Sequence, residues 1–237
     1  MDYYDILISG ISDELYVERI VHGRSWIAAE LSDGRYGIAL HDTLQSRERM
    51  FPALAGLSAR RAAGAVRSWN LLEASEAMAV INAFYNTPER LKELGALCDY
   101  DKSCTKGMET EGKKIALIGH MNLQPDALRG ASEVYIIERS PKPGDYPDSA
   151  CEYLLPSCDI VIITASAAIN KTLPRLLELS KSAKTIIIGP TTPMCPELKT
   201  LGIARLSGMV VRDKEAFERW TLEKPGSPYP YGDVFMI

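Results

Sequence analysis

Residues 159–193, DIVIITASAAINKTLPRLLELSKSAKTIIIGPTTP, read as strand, polar loop, helix, strand and second polar loop. The runs 160–163 and 185–188 are short and β-branched, as parallel strands are when helices cover both faces. Each run ends in small hydroxyl, amide or glycine residues. In such sheets ligands bind in the crevice at the carboxyl ends of the strands. The stretch therefore predicts the ligand side of a doubly wound α/β domain. It holds no catalytic dyad, so it locates a site without naming a reaction.

The same alternation extends to both sides. Strands are expected over 114–118, 133–137, 159–163, 184–188 and 204–210. Between them lie a helix over 125–129, the turn-rich loop SPKPGDYPD, a short helix near 150–154, a helix over 173–181 and a short helix after Pro196. Strands alternating with helices predict a parallel sheet with right-handed crossovers. The segment DIVIITASA is similar to the strand beyond the crevice in nicotinamide-dependent dehydrogenases. That similarity implies a sheet order 2-1-3-4-5 with its switch point between strands one and three. A helix over 214–220 closes the domain, and the tail EKPGSPYPYGDVFMI is expected to be irregular.

The amino-terminal part has a different rhythm. A helix over 1–11 precedes strands over 15–22, 25–31 and 36–40, parted by Gly23-Arg24 and Asp33-Gly34. A DG pair between apolar runs is a strong hairpin signal, so the three strands form an antiparallel meander. Its covering helices run over 58–66, with Ser58 as cap, and over 71–85. The second of these is apolar on most of its surface, which marks a buried helix. Periodicity fades over 86–113, which divides the chain into domains 1–100 and 101–237.

At 237 residues the chain fits one or two domains. No apolar run approaches the ~18 residues of a membrane span. The first residues, MDYYDILIS, carry acids where a signal peptide carries bases, so a cytoplasmic setting is expected and a membrane partner is not. A net charge of −4, with no basic cluster longer than Arg60-Arg61, argues against nucleic acid as a partner. The five cysteines are an odd number in a chain large enough to fold without staples, and read as free thiols. A homodimer is the expectation from the frequency of twofold assemblies.

Candidate ligand contacts fall at the strand ends. Gly119 follows strand one, where it either relieves a sharp turn or lets a phosphate approach. The missing second and third glycines of the dinucleotide fingerprint favour the turn. Glu138 lies close to the ~20-residue offset at which an acid binds ribose hydroxyls. Across the crevice stand Thr164, Ser166, Asn170 and Thr172, where Asn170 also suits a helix cap. Gly189, Thr191 and Thr192 follow strand four in a loop stiffened by Pro190 and Pro193. In the buried helix 71–85, Glu73, Glu76 and Asn82 are polar exceptions, with Asn70 one turn before Glu73. A buried acid is costly unless it is paired or functional.

The pieces SWNLLEASEAMAVINAFYN (68–86), ERSPKPGDYPDSACEYLLPSCDIVIITASAAINKTLPRLLEL (138–179) and IIIGPTTPMCPEL (186–198) together resemble the heavy-metal chelation family. The resemblance covers nearly the whole chain. It implies an α/β chain in which a small α+β enolase N-terminal-like domain precedes a Rossmann-like doubly wound parallel sheet, both building one cleft. Its matching positions are Asn70, Glu73, Ser75, Asn82, Glu138, Pro141, Gly144, Thr164, Asn170, Thr172, Gly189, Pro190, Thr192 and Pro193. It departs after strand one, where His120-Met121-Asn122 replace an aromatic and prolines. The resemblance implies binding of a small molecule and condensation or hydrolysis of a chelator, pterin or siderophore-type precursor. Glu73 is then the general acid or base and Asn70, Asn82 and Asn170 are polar anchors. A transition metal or metal complex is the cofactor class this family suggests. Two other readings stand beside it: a non-catalytic carrier of a metal complex or effector, and an S-adenosylmethionine- or NAD-dependent enzyme resting on Gly119 and Glu138.

Overall fold

Two sheets organise the chain in the computed structural model, which describes residues 1–42, 48–98, 104–121, 123 and 125–237. The first is an antiparallel meander of β1 (Val17–His22), β2 (Trp26–Leu31) and β3 (Tyr36–Leu40), in that order. The second holds eight strands: β4 (Leu97–Cys98), β5 (Lys114–Ile118), β6 (Glu133–Glu138), β7 (Tyr146–Pro147), β8 (Ile160–Thr164), β9 (Lys184–Ile188), β10 (Ile203–Val211) and β11 (Gly232–Met236). Their spatial order is β4-β11-β10-β9-β8-β5-β6-β7. The run from β10 to β7 is parallel throughout. The chain is thus a mixed α/β protein with a small antiparallel sheet and a larger, mostly parallel one.

The expected order 2-1-3-4-5 is found as β6-β5-β8-β9-β10, and β5 and β8 lie side by side at the switch point. Ile160, Val161, Ile162 and Ile163 are all buried, as a strand covered on both faces requires. The tail corrects the expectation of irregularity. After a 3-10 turn at Tyr229–Tyr231, β11 pairs antiparallel with β10 from Ser207↔Met236 to Val211↔Gly232. The physical reason is the nine-residue β10, whose far edge would otherwise leave its backbone groups unpaired. The expected helix over 125–129 is a single 3-10 turn, Pro125–Leu128. The boundary between 100 and 101 lies outside the described residues, although β4 just before it already pairs with β11.

Helix α1 (Tyr3–Ser9) begins on a capping box of Asp2 and Asp5, and α2 (Ala59–Ala63) on the Ser58 side chain. Helix α3 (Leu71–Tyr85) is buried from Glu73 to its end. It lies directly on the meander. A Cβ at Gly37 of β3 would stand 2.0 Å from the Ala83 backbone nitrogen, so only glycine permits this approach. The rest of the α3 surface packs on α2, the 3-10 turn Gly64–Arg67 and the short helix Ser166–Ile169, and one apolar core runs from Tyr3, Leu7 and Ile81 to Ala168, Met194 and Leu198.

Polar groups fix this junction. Asn82 Nδ2 donates to the carbonyls of Ile38 (2.7 Å) and Thr191 (3.0 Å). One turn on, Asn86 Nδ2 donates to the Thr192 carbonyl at 2.9 Å, and Asn86 Oδ1 accepts the Met194 N–H at 2.9 Å. Thr191 Oγ1 in turn accepts the Leu40 N–H at 2.9 Å. At the other end of the meander, Arg19 bridges to Glu218 at 2.6 Å, on helix α8 (Lys214–Glu223). Asn86→Ala strips the Met194 amide of its acceptor inside the core, and leaving buried groups unpaired costs about 1–3 kcal/mol each. We expect urea unfolding of this variant to show a loss of about 3 kcal/mol; a loss under about 1 kcal/mol would contradict the role assigned to the junction.

Candidate functional site in the switch-point crevice

A cavity of about 700 Å³ opens where β5 and β8 part. Its walls include Gly119, Glu138, Thr164, Ser166, Asn170 and Thr172, so six of the nine expected ligand contacts share one space. Gly189 lines a neighbouring cavity of about 380 Å³ that shares Thr164 and His120 with the first. A notch of about 70 Å³ lies beside them, where Trp26 and Leu40 of the meander meet Thr164, Ser166 and Thr191. Thr192 is fully buried and lines none of the three.

The turn after β5 is built by contacts the sequence only hinted at. Gly119 has φ 100°, and a Cβ there would meet Thr164 Cγ2 at 3.0 Å. Glycine is required to let this turn pack on the end of β8. Among the described residues no phosphate-cradling helix follows it, and the next described element is the four-residue turn Pro125–Leu128. Glu138, half-buried at the end of β6, accepts the His120 N–H at 2.6 Å and the Arg139 N–H at 3.1 Å. Its carboxylate thus faces the cavity already oriented. Sequence reading gave no role to His120. Its Nε2 meets Asp145 Oδ2 at 2.6 Å, and Asp145 also accepts the Lys142 N–H at 2.7 Å. The Lys142 amide first, and then His120, hold the Asp145 carboxyl below its ordinary value. An imidazole backed by a carboxylate is the arrangement that general bases use.

Across the crevice, Thr164 Oγ1 and Ser166 Oγ are 3.0 Å apart. Asn170 Oδ1 accepts the Thr172 N–H at 3.1 Å and the Thr172 hydroxyl at 2.7 Å, ahead of helix α7 (Leu173–Leu179). Lys171 between them has φ 69°, the sole positive value outside glycine among the described residues. Its ammonium donates to the Val66 carbonyl and lies 5.3 Å from the Tyr4 ring centre. Burial, reinforced by Arg67, lowers its pKa to about 8.

Glu73, Asn70 and Asn82 are not brought to this space and line none of the cavities. Glu73 is fully buried, with its oxygens accepting the Phe51 N–H at 2.9 Å and the Ser68 hydroxyl at 2.5 Å. Asn70 caps α3 through the Leu72 and Glu73 amides and donates to the Glu48 carbonyl at 3.0 Å. These groups bind the segment 48–51 to the helix start. Glu76 meets Arg49 at 2.5 Å and His22 at 2.8 Å. Burial works against its ionisation, but the His22 and Arg49 hydrogen bonds outweigh it and hold the pKa low. Asn122 lies outside the described residues.

No disulfide joins any of the five cysteines. Burial first of all pushes Cys151 and Cys158 up to about 11 and Cys195 up to about 12, so none offers a thiolate at neutral pH. Among the described residues no group of three or more His, Cys, Asp and Glu could hold a metal ion. No helix among them is long and apolar enough to cross a membrane.

Residues 107–231 match the DUF364 family model and residues 4–85 the DUF4213 model, both described as "Putative heavy-metal chelation". The chain belongs to the DUF364 family. Its fold is similar to the crystal structure of a DUF364 protein of unknown function from Desulfitobacterium hafniense DCB-2. That match has 37% identity and a TM-score of 0.87, covering 99% of this chain and 96% of that one. A second DUF364 protein of unknown function, from Pyrococcus horikoshii, aligns with TM-score 0.76 and 26% identity over 99% of this chain and 97% of that one. An uncharacterized protein of Methanocaldococcus jannaschii is 35% identical over 108 residues, 43% of this chain and 42% of that relative's length.

Lys171 is the group here whose titration separates a crevice-wall amine from an ordinary surface lysine. Its side-chain resonance, followed by NMR against pH, should titrate with a midpoint of about 8. A midpoint near the ordinary ~10.4 would show that the amine is solvated.

Proposed function

We propose that this chain binds a small polar molecule bearing a vicinal diol, of nucleoside size, in the crevice between β5 and β8. The observation that carries the reading is Glu138. It is a half-buried carboxylate on the cavity wall, held by two backbone N–H groups. Such a carboxylate accepts both hydroxyls of a ribose-like diol. Thr164, Ser166 and the side chain of Asn170 supply hydroxyl and amide partners on the opposite wall. A dinucleotide suits the site less well, because among the described residues the first turn leads into a four-residue 3-10 turn and not into a helix that could receive a pyrophosphate.

Membership of a family described by heavy-metal chelation supports a ligand that belongs to metal handling, such as a chelator or pterin precursor. Where the bound molecule undergoes condensation or hydrolysis, His120 is the group we assign to proton transfer, since it borders both cavities and Asp145 orients it. Five cysteines without a disulfide among them fit a reducing, cytoplasmic setting.

A thermal-shift panel of adenosine, S-adenosylhomocysteine, NAD and a dihydroxypropyl pterin tests the reading. A compound present at a hundred times its dissociation constant should add about 2.7 kcal/mol of stability. Glu138→Ala should abolish the shift produced by diol compounds, while their 2′,3′-dideoxy analogues give none with either protein. Equal shifts for diol and dideoxy compounds would remove Glu138 from the site.

A further inference from the structure

His22 and His41 stand together at one end of the meander, at the close of β1 and just beyond β3, with ring centres 6.1 Å apart. Neither belongs to the crevice cavities. Each ring is oriented from behind. His41 Nδ1 lies 2.6 Å from the Gly23 carbonyl oxygen. A carbonyl can only accept, so the proton sits on Nδ1 and the Nε2 lone pair is left free. His22 Nε2 lies 2.8 Å from Glu76 Oε1, a carboxylate also bound by Arg49 at 2.5 Å. Its proton is therefore on Nε2, and Nδ1 carries the lone pair. Neither free nitrogen has a partner among the described residues.

This is how proteins present imidazole to a metal: the far nitrogen donates to a carboxylate or a carbonyl, which fixes the tautomer and raises the basicity of the near one. Rings sharing one ion at ordinary metal–nitrogen lengths have centres about 5 Å apart, so closure asks for roughly 1 Å of movement. His22, with 46% of its side chain exposed, sits at a strand end and can supply it.

We propose that His22 and His41 form a two-imidazole seat for a first-row divalent transition metal that arrives already held by a polydentate chelating molecule. Two protein ligands leave an octahedral ion with open positions. Since no third His, Cys, Asp or Glu joins the pair among the described residues, the chelator fills the remainder. The ligand class is thus a metal chelate with two vacant adjacent positions. This inference is separate from the diol reading of the crevice and does not depend on it.

The Ni²⁺–nitrilotriacetate complex has that valence, with four positions taken by the chelator and two open. Equilibrium dialysis of the untagged full chain against it should show one complex bound per chain. His22→Ala and His41→Ala should each weaken binding at least tenfold. Both residues are partly exposed, and circular dichroism verifies that the variants fold. Glu76→Gln, which keeps shape and removes the orienting charge, should weaken binding by about 10–100-fold. Absence of binding to the wild-type chain, or unchanged binding in either histidine variant, overturns the proposal.

Discussion

The amide groups of Asn82 and Asn86 are the constraint on which the arrangement of this chain depends. They lie one turn apart on a helix buried from all sides, where an amide without hydrogen bonds costs several kcal/mol. The NH2 groups of both donate to backbone carbonyls of residues 191–192 and Asn86 Oδ1 accepts the Met194 N–H, while Asn82 Oδ1 has no partner among the described residues. Asn86 also reaches the Met209 carbonyl at 3.3 Å. The loop after β9 of the larger sheet is thereby built onto the helix that covers the smaller one. Satisfying the helix and placing the loop are a single requirement.

The site inherits its form from that junction. Residues 189–191 follow β9 and wall the smaller cavity and the notch, and their position decides how close the meander's Trp26 and Leu40 come to Thr164. The first domain therefore shapes the rim of the crevice through backbone anchoring, whereas the acids of α3 serve the segment 48–51 and the histidine pair. Glu138, Thr164 and Asn170 come from the second domain's own strand ends, as the doubly wound fold places them.

Much of this was legible in the sequence, for physical reasons. The runs 160–163 and 185–188 are β-branched because helices cover both their faces, and their alternation with helices gave the parallel sheet. The order and switch point came from the similarity of DIVIITASA to the strand beyond the crevice in nicotinamide-dependent dehydrogenases. Helix α3 was read to its ends because it is apolar on most of its surface, and the structure adds the Asn70 cap at its start. Glu138 was visible by its offset from Gly119. The junction was not legible. Asn86 lies 106 positions from Thr192, and nothing local distinguishes an amide that spans two domains from one that ends a helix. The same is true of His120 and Asp145, 25 positions apart. Glu73 carried a real signal, a buried acid in an apolar helix, but hydrogen bonds to Phe51 and Ser68 answer it as fully as a substrate would. The tail misled because Pro and Gly crowd residues 225–232, while the strand that follows is specified by the open edge of β10.

The amide hydrogen of Met194 reports on the central claim directly, since its acceptor is the Asn86 side chain of the other domain. Native-state hydrogen exchange should find it exchanging only with global unfolding, as slowly as the amides of Ile186 and Ile187 in β9. Exchange near the intrinsic rate, with β9 still protected, would show that the loop is not built into the first domain's core.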